Sequence, residues 1–303
     1  MDSAFRDRLE RIDKLPTLPV VIQKLDQAIQ DPDADIREVT GIIKDDPSIM
    51  ARILRVANTV FYTTERRISD LRTAVVVMGL RSVHNIALST AVFSTFPPTE
   101  GTKMDRAAFW KHSIYTAAAT ESVASFAALE DQSSYRRDEL HLAGLMHDIG
   151  KIVLEQFFHR DFTRALELSH NEGIPLHLAE NRIFGTEHTQ VGVWLGDKWN
   201  LSREILETVR WHHHPEGADP DFHDLVRLCH LANHLTNSEA LGDGGDHASC
   251  MHETAFSDLG ISPEDWEDIV EKTRLESRNS EILLEMMAQE GNQGKTSAHA
   301  VHK

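Results

Sequence analysis

His147 and Asp148 stand side by side in an apolar run that includes Leu142, Ala143, Leu145, Met146, Ile149, Ile152 and Val153. A carboxylate carried into an apolar helix is costly unless it is paired or bound to a metal ion. Lys151 follows three residues later, on the same side of a helix. The run His-Asp-x-Gly-Lys therefore groups a nitrogen ligand, an oxygen ligand and a cation suited to phosphate. Gly144 and Gly150 flank the pair and weaken a helix, which predicts close backbone packing at both.

The chain holds 18 His against 2 Cys, 5 Trp and 3 Tyr. Imidazole is the commonest metal ligand and titrates near neutrality. His112 follows Trp110 in an Ala-rich stretch, His188 opens a later helix, and His212, His213 and His214 close another just before Pro215. Helical bundles build metal centres from side chains that project inward from several helices. The candidate ligands are thus His112, His147, Asp148, His188, His212 and His213. Mixed imidazole and carboxylate donors suit one or two ions of Fe, Mn, Zn or Ni better than Mg or Ca. Blander roles compete. A single buried His such as His112 is more often a hydrogen-bonded core residue, and a His run at a helix end can interact with the helix dipole. His141, His159, His170, His177, His223, His230, His234, His247 and His252 read as structural or exposed. Spacing alone leaves packing roles ahead of a metal site.

The elements that must position these groups read as helices nearly throughout. Apolar spacing predicts a helix over 18–29, stopped by Asp31-Pro32. A capping box at 35–38 opens a second, and Asp46-Pro47 opens a third that turns Ile49, Ile53, Leu54 and Ala57 inward. Residues 59–68 read as a loop, and helices over 69–78 and 80–95 part at Gly79. A longer block follows, with helices over 105–129, 137–158, 160–171, 175–184, 187–199, 202–213 and 222–236. Residues 242–247, GDGGDH, read as a flexible loop. Ser262-Pro263 starts a further helix with an acidic first turn, 280–289 forms a last one, and the final residues are small and polar. The expected organisation is all-α: a helical lobe over 1–100, a bundle over 101–240, a helical extension over 241–290 and a disordered tail over 291–303.

Charge and composition narrow the function classes. The net charge is −17, with 31 basic and 48 acidic side chains. Residues 200–303 alone carry 8 basic and 20 acidic groups, a net of −12. Such a surface repels phosphate backbones, so nucleic acid is not the expected partner. A helix-turn-helix could sit among the short helices of the first block, but its near-neutral charge favours a plain bundle. No stretch approaches the ~20 apolar residues of a membrane span. The opening residues, MDSAFRDRLE, lack the apolar run of a secretory signal. Cys229 and Cys250 cannot build a disulfide framework or a Cys-rich zinc site. The expectation is a cytoplasmic protein with reduced thiols and no membrane partner.

Several segments, in order, resemble the HDOD (HD-related output domain) branch of the HD superfamily of metal-dependent phosphohydrolases. They are LPTLPVVIQKL, IIKDDPSIMARILRVANTVFY and AVVVMGLRSVHNIAL, then FWKHS, LAGLMHDIGK, EHTQVGVWLGDKWNL and VRWHHHP. The resemblance covers about residues 12 to 236 and implies an HD-type helical bundle. Active HD enzymes bind metal through a first His, the His-Asp pair and a later Asp; His112, His147 and Asp148 fall on the first three. The later position falls on Asn233, a neutral and poorer ligand. The related cyclic-dinucleotide phosphodiesterases also use residues like His188, His212, His213 and Lys151, which are kept, and a Gly-Tyr-Pro segment, which is replaced by PEGADPDF. The resemblance implies a regulatory or scaffolding module of bacterial signal transduction with a residual metal site. It would bind a signalling protein or a nucleotide-like ligand in the groove around the His-Asp helix. The alternative is a metal-dependent phosphohydrolase or phosphodiesterase acting on a nucleotide or cyclic dinucleotide. In that case Asp148 and Lys151 would be catalytic, Asp148 bridging the metals and Lys151 steadying charge developing on phosphorus.

Overall fold

The computed structural model describes residues 3–12, 15–17, 36–58, 67–96, 103–129, 137–246, 251–252 and 254–277, with isolated positions 20, 21, 24, 25, 28 and 248. Among them there are helices and turns and no strand, so the all-α expectation holds. The capping box at 35–38, most of the 59–68 loop, the 280–289 helix and the tail lie wholly or partly outside the described residues.

Two units cluster separately: residues 16–98 in one, residues 1–15 with 99–277 in the other. The first is built from short helices, α2 (Ile36–Lys44), α3 (Pro47–Ala57), α4 (Leu71–Met78) and α5 (Leu80–Thr95), and its described positions between 20 and 28 are helical. Asp46 starts α3 as expected: its Oδ1 accepts from the Ser48 and Ile49 N–H groups at 2.9 and 3.2 Å, and Pro47 takes the first helical position, where no donor is needed. Asp70 caps α4 through the Thr73 N–H. Gly79, at φ +82°, turns the chain from α4 into α5, a conformation that only glycine adopts cheaply. Val39, Ile43, Ile49, Ile53 and Val56 are buried. Leu54, expected inward with them, is half-buried.

The second unit holds α1 (Ser3–Glu10), α6 (Arg106–Ala124), α7 (Arg137–Met146), α8 (Ile149–Phe157), α9 (His159–Glu172), α10 (Leu176–Phe184), α11 (His188–Lys198), α12 (Arg203–Trp211), α13 (His223–Ser238) and α14 (Ala255–Asp258). Its axis is α6, packed against α7 and α13. Ala117, Ala118 and Ala119 are buried there, and their small size lets α7 approach closely. A buried Arg106–Glu155 ion pair ties α6 to α8. The N-terminal α1 belongs to this unit: Phe5 packs on Phe158 and Phe184, and Glu10 accepts from the Trp194 indole N–H at 2.8 Å.

Two expectations need correction. The helix expected over 137–158 is broken at His147-Asp148, which form the turn between α7 and α8. The His147 ring reaches back to donate Nδ1–H to the Gly144 carbonyl at 2.7 Å. That carbonyl would otherwise receive the Asp148 N–H, so the side chain ends the helix. The same device closes α12 at Trp211, short of the expected 213: His212 Nδ1 donates to the Val209 carbonyl at 3.1 Å. The second correction concerns 242–247. Residues 242–246 are seated on the bundle rather than free in solvent: the Asp243 N–H donates to the Ala108 carbonyl at 3.0 Å, and Asp246 is buried.

The close packing expected at the two glycines is present. A methyl at Gly144 would lie 2.6 Å from Ala117 Cα, and one at Gly150 only 1.9 Å from the His188 carbonyl oxygen. Gly150→Ala should therefore destabilise by about 3 kcal/mol through overpacking. Gly41→Ala, in α2 with open space around it, should stabilise by about 0.5–1 kcal/mol. Chemical denaturation of both variants checks the pair of opposite signs.

Candidate metal centre

Asp148 is the hub of the second unit. It is fully buried, at the break between α7 and α8. Its Oδ2 receives the Lys151 ammonium at 2.6 Å and lies 3.2 Å from His147 Nε2 and 3.5 Å from His112 Nε2. Its Oδ1 lies 3.2 Å from His188 Nε2 and 3.5 Å from His212 Nε2. His213 joins from the turn after α12, its Nε2 3.1 Å from His188 Nε2. The structure thus brings together every site residue that the sequence singled out: His112 on α6, the His147-Asp148 turn with Lys151 just inside α8, His188 at the start of α11, and His212 and His213 after α12. They form two sets that share Asp148, one with His112 and His147 and one with His188, His212 and His213.

Proton placement shows what these sets can hold. His147 and His212 donate Nδ1–H to backbone carbonyls. His188 Nδ1 faces the Glu180 carboxylate at 2.6 Å, and Glu180 also accepts the His188 backbone N–H at 2.8 Å. With Nδ1 protonated outward, His147 and His212 turn Nε2 toward the Asp148 carboxylate, and His212, which burial keeps neutral, presents a lone pair to it, whereas Glu180 keeps His188 protonated. Lone pairs facing a carboxylate repel unless a cation lies between them. Asp148 Oδ1 and His212 Nε2 are buried without a hydrogen-bond partner, and buried polar atoms are seldom left so. Outward donation by Nδ1 to a carbonyl or carboxylate is also how metal-ligating imidazoles are usually oriented. The donor set fits a divalent transition metal and forms a candidate His/Asp metal centre.

The electrostatics agree. Burial pushes the pKa of His212 down to about 3, lowers that of His112, and with its His neighbours holds His213 well below the usual range. Burial also works against charge on His188, Asp148 and Lys151, yet their partners outweigh it. Glu180 holds His188 up at about 9. His147 and Lys151 hold Asp148 well below the ordinary carboxylate range, and Asp148 raises Lys151.

Three residues of this region were missed in the sequence. Glu180, on α10, orients His188. His177, read as structural, lies one turn before Glu180 and stacks on His213, with ring centroids 4.3 Å apart. Asp246 was assigned to a flexible loop. The i, i+3 spacing of His177 and Glu180 places both on one helix face, and was the available signal. The glycine-rich loop carries a backbone group into the site as well: the Gly244 carbonyl accepts from Lys151 at 3.0 Å. A methyl on Gly244 would sit 3.0 Å from His112 Nε2 and 3.4 Å from Asp148 Oδ2. Asn233 is buried on α13, and its Oδ1 accepts from Asn237 at 2.9 Å. His230, expected to be structural, donates to the His212 carbonyl at 2.7 Å.

An all-helical bundle with a buried His-Asp turn ringed by imidazoles defines an HD-type protein. The family model of the HDOD domain matches residues 15–215, and the chain belongs to that family. The crystal structure of an HDOD domain protein of unknown function from Geobacter sulfurreducens is similar, with a TM-score of 0.71, 24% identity, and 95% of this chain and 96% of that one covered. A provisionally described signal transduction protein from Marinobacter aquaeolei VT8 superposes with a TM-score of 0.75 at 24% identity, covering 94% of this chain and 66% of that one. An uncharacterized protein of Treponema pallidum (strain Nichols) is 24% identical over 224 residues, 74% of this chain; the match spans 42% of that relative's length.

The buried imidazoles set a pH dependence for chelator-stripped protein. His212, His177, His112 and His213 have pKa values lowered from 6.5, the first two to about 3 and about 4. Below pH 6.5 the unfolded chain takes up protons that the folded chain refuses, so stability falls as the pH drops toward 3. His188, raised to about 9, acts oppositely: its contribution is full below pH 6.5 and is lost as the pH rises through 9. Melting temperature in EDTA should peak near neutrality and fall more steeply on the acid side, where four groups act against one. A melting temperature flat from pH 6.5 to 4 would contradict this electrostatic account.

Proposed function

We propose that this chain is a regulatory or scaffolding module of bacterial signal transduction, working in the cytoplasm and built around a resident transition-metal centre with little turnover. The observation that carries this reading is the seating of loop 242–246 on the centre. The Lys151 ammonium is taken up by Asp148 and the Gly244 carbonyl, and Gly244 stands against His112 and Asp148. A phosphate ester coming from that side meets loop backbone before it meets a free cation. HDOD family membership supports the same reading, as does the neutral Asn233. The unpaired, buried Cys229 thiol is in keeping with a reducing compartment.

His112, His147, Asp148, His188, His212 and His213 would hold one or two ions of Fe, Mn, Zn or Ni. When bound, the ion supplies a concentrated positive charge that ties the surrounding helices together and can polarise an oxygen ligand. The chain's own groups have separate tasks. Glu180 and the Gly144 and Val209 carbonyls aim the imidazoles, and Lys151 neutralises Asp148. The loop excludes water and must move for a ligand to enter. The proposed partner is a signalling protein or a nucleotide-like ligand that displaces this loop. Membranes and nucleic acids are not proposed as partners: no single helix among the described residues is long and apolar enough to cross a membrane, and the acidic charge disfavours a phosphate backbone.

A second reading, a metal-dependent phosphohydrolase or phosphodiesterase, is favoured by the complete set of inward-facing ring nitrogens. Asp148 and Lys151 would then act on the substrate phosphate. Incubation of the manganese-loaded protein with cyclic dinucleotides and nucleoside phosphates separates the readings. Little or no product is expected; robust multiple turnover abolished by Asp148→Ala would establish the enzyme.

Asp148→Asn tests the centre itself. The change removes the anion that Lys151 faces, leaving it the Gly244 carbonyl, and destabilises stripped and loaded protein alike. It should also lower metal content, adding a loss of about 2.7 kcal/mol in protein held at metal concentrations a hundredfold above the dissociation constant. Melting curves with and without chelator read the difference. Equal shifts in both conditions would remove the metal role.

A further inference from the structure

A second group of ligand atoms comes together beside the Asp148 centre. His177 lies on α10, His213 in the turn after α12, and Asp246 at the end of the glycine-rich loop. One ligand atom from each lies within 4.8 Å of the other two. His177 is 7% exposed and Asp246 6%. His177 Nδ1 and Asp246 Oδ2 are both buried, and neither has a hydrogen-bond partner. The other Asp246 oxygen accepts the Leu176 backbone N–H at 3.3 Å, which fixes the carboxylate beside the start of α10. Leaving a buried polar group unpaired costs roughly 1–3 kcal/mol, and more if it is charged. Ring stacking brings His177 against His213 but leaves these two polar atoms unsatisfied. A cation held among the three side chains would supply a partner there.

We propose that His177, His213 and Asp246 form a separate site for a divalent transition-metal ion, and that binding there clamps loop 241–246 over the Asp148 centre. Two imidazoles and one carboxylate suit Zn, Mn, Fe or Ni. The site stands on its own ligands; the clamp's effect on access rests on the proposed reading of the Asp148 centre. His213 is common to both groups. When it serves this site, His112, His147, Asp148, His188 and His212 remain around the first. The coupling follows from the loop's length. Asp246 is two residues from Gly244, whose carbonyl meets Lys151 and whose Cα side faces His112 and Asp148. The loop's further backbone ties to the bundle are the Leu241 N–H to the Thr236 carbonyl at 2.9 Å and the Asp243 N–H to the Ala108 carbonyl at 3.0 Å; the Gly245 N–H to Asp243 Oδ1 bond at 2.7 Å is internal to it. An ion on Asp246 therefore adds a strong anchor to a segment otherwise held by a few hydrogen bonds. Loss of the ion frees the segment that covers Lys151 and Asp148, so occupancy of one site governs access to the other.

The test uses the full chain with cobalt(II) as probe. Bound cobalt per chain is measured after equilibrium dialysis for wild type, His177→Gln, Asp246→Asn and Asp148→Asn. Hydrogen exchange over 241–246 is followed with cobalt and with EDTA. His177→Gln and Asp246→Asn should each lose a single ion per chain and keep the rest. Cobalt should slow loop exchange in wild type and in Asp148→Asn, and leave it unchanged in the other two. Wild-type cobalt content in His177→Gln with a loss in Asp148→Asn would overturn this proposal and leave the Asp148 centre standing. The reverse pattern would do the opposite, and a wild type that binds no cobalt would overturn both. If a variant fails to fold, titration of wild type decides. Exchange of the loop must slow in step with one binding event; a loop indifferent to cobalt refutes the clamp.

Discussion

A carboxylate with no exposure to water sits where α7 gives way to α8, and the second unit is arranged around it. Asp148 is kept ionised by Lys151 three residues later and by the imidazoles around it. Removing so small an anion from water is costly, and the protein meets the cost locally with the Lys151 ammonium and the charged His188 ring. This need accounts for helices converging from α6, α8, α11 and α12 on one point. It also accounts for Gly150, whose missing side chain lets α8 touch the start of α11 and bring His188 to Asp148.

One local device is used twice to shape the centre. His147 and His212 each follow the last residue of a helix, and each turns back to a carbonyl three residues earlier. The helix ends there because the side chain has taken its next acceptor. The same bond places the proton on Nδ1 and leaves Nε2 facing the carboxylate. Chain termination, tautomer and ligand direction are thus set by a single contact. Glu180 orients His188 in turn, accepting both its ring and its backbone N–H. The charged partner makes His188 the one ring of the group held at high pKa, about 9.

The glycine-rich loop gives the centre its character. Gly242, at φ +96°, passes so close to α6 that a methyl there would lie 2.3 Å from the His112 backbone nitrogen. Glycine at 242 and 244 allows this path against His112, and the loop carries a carbonyl to Lys151 and a carboxylate to the side of His177. A centre so covered favours a held ion over an exchanging substrate. That is the physical ground for the proposal that a ligand acts by moving the loop.

Much of this was legible in the sequence. Apolar spacing at 3.6 residues, the Asp46-Pro47 start and the break at Gly79 are local signals, and local hydrogen bonding decides them. The six candidate ligands could be singled out because His and Asp are conspicuous among apolar neighbours, and ordered segments resembling one family tied them together. The break at His147-Asp148 could not be read, because apolar periodicity runs through it; a side chain bonding to its own backbone ended the helix. Glu180, His177 and Asp246 are ordinary residues in ordinary polar segments, and only the packing of α10 and of the loop against α11 and α12 made them part of the site. Sequence determined which groups were available and where helices could start. The tertiary structure decided which lone pairs face a common point, because that depends on contacts between residues far apart in the chain.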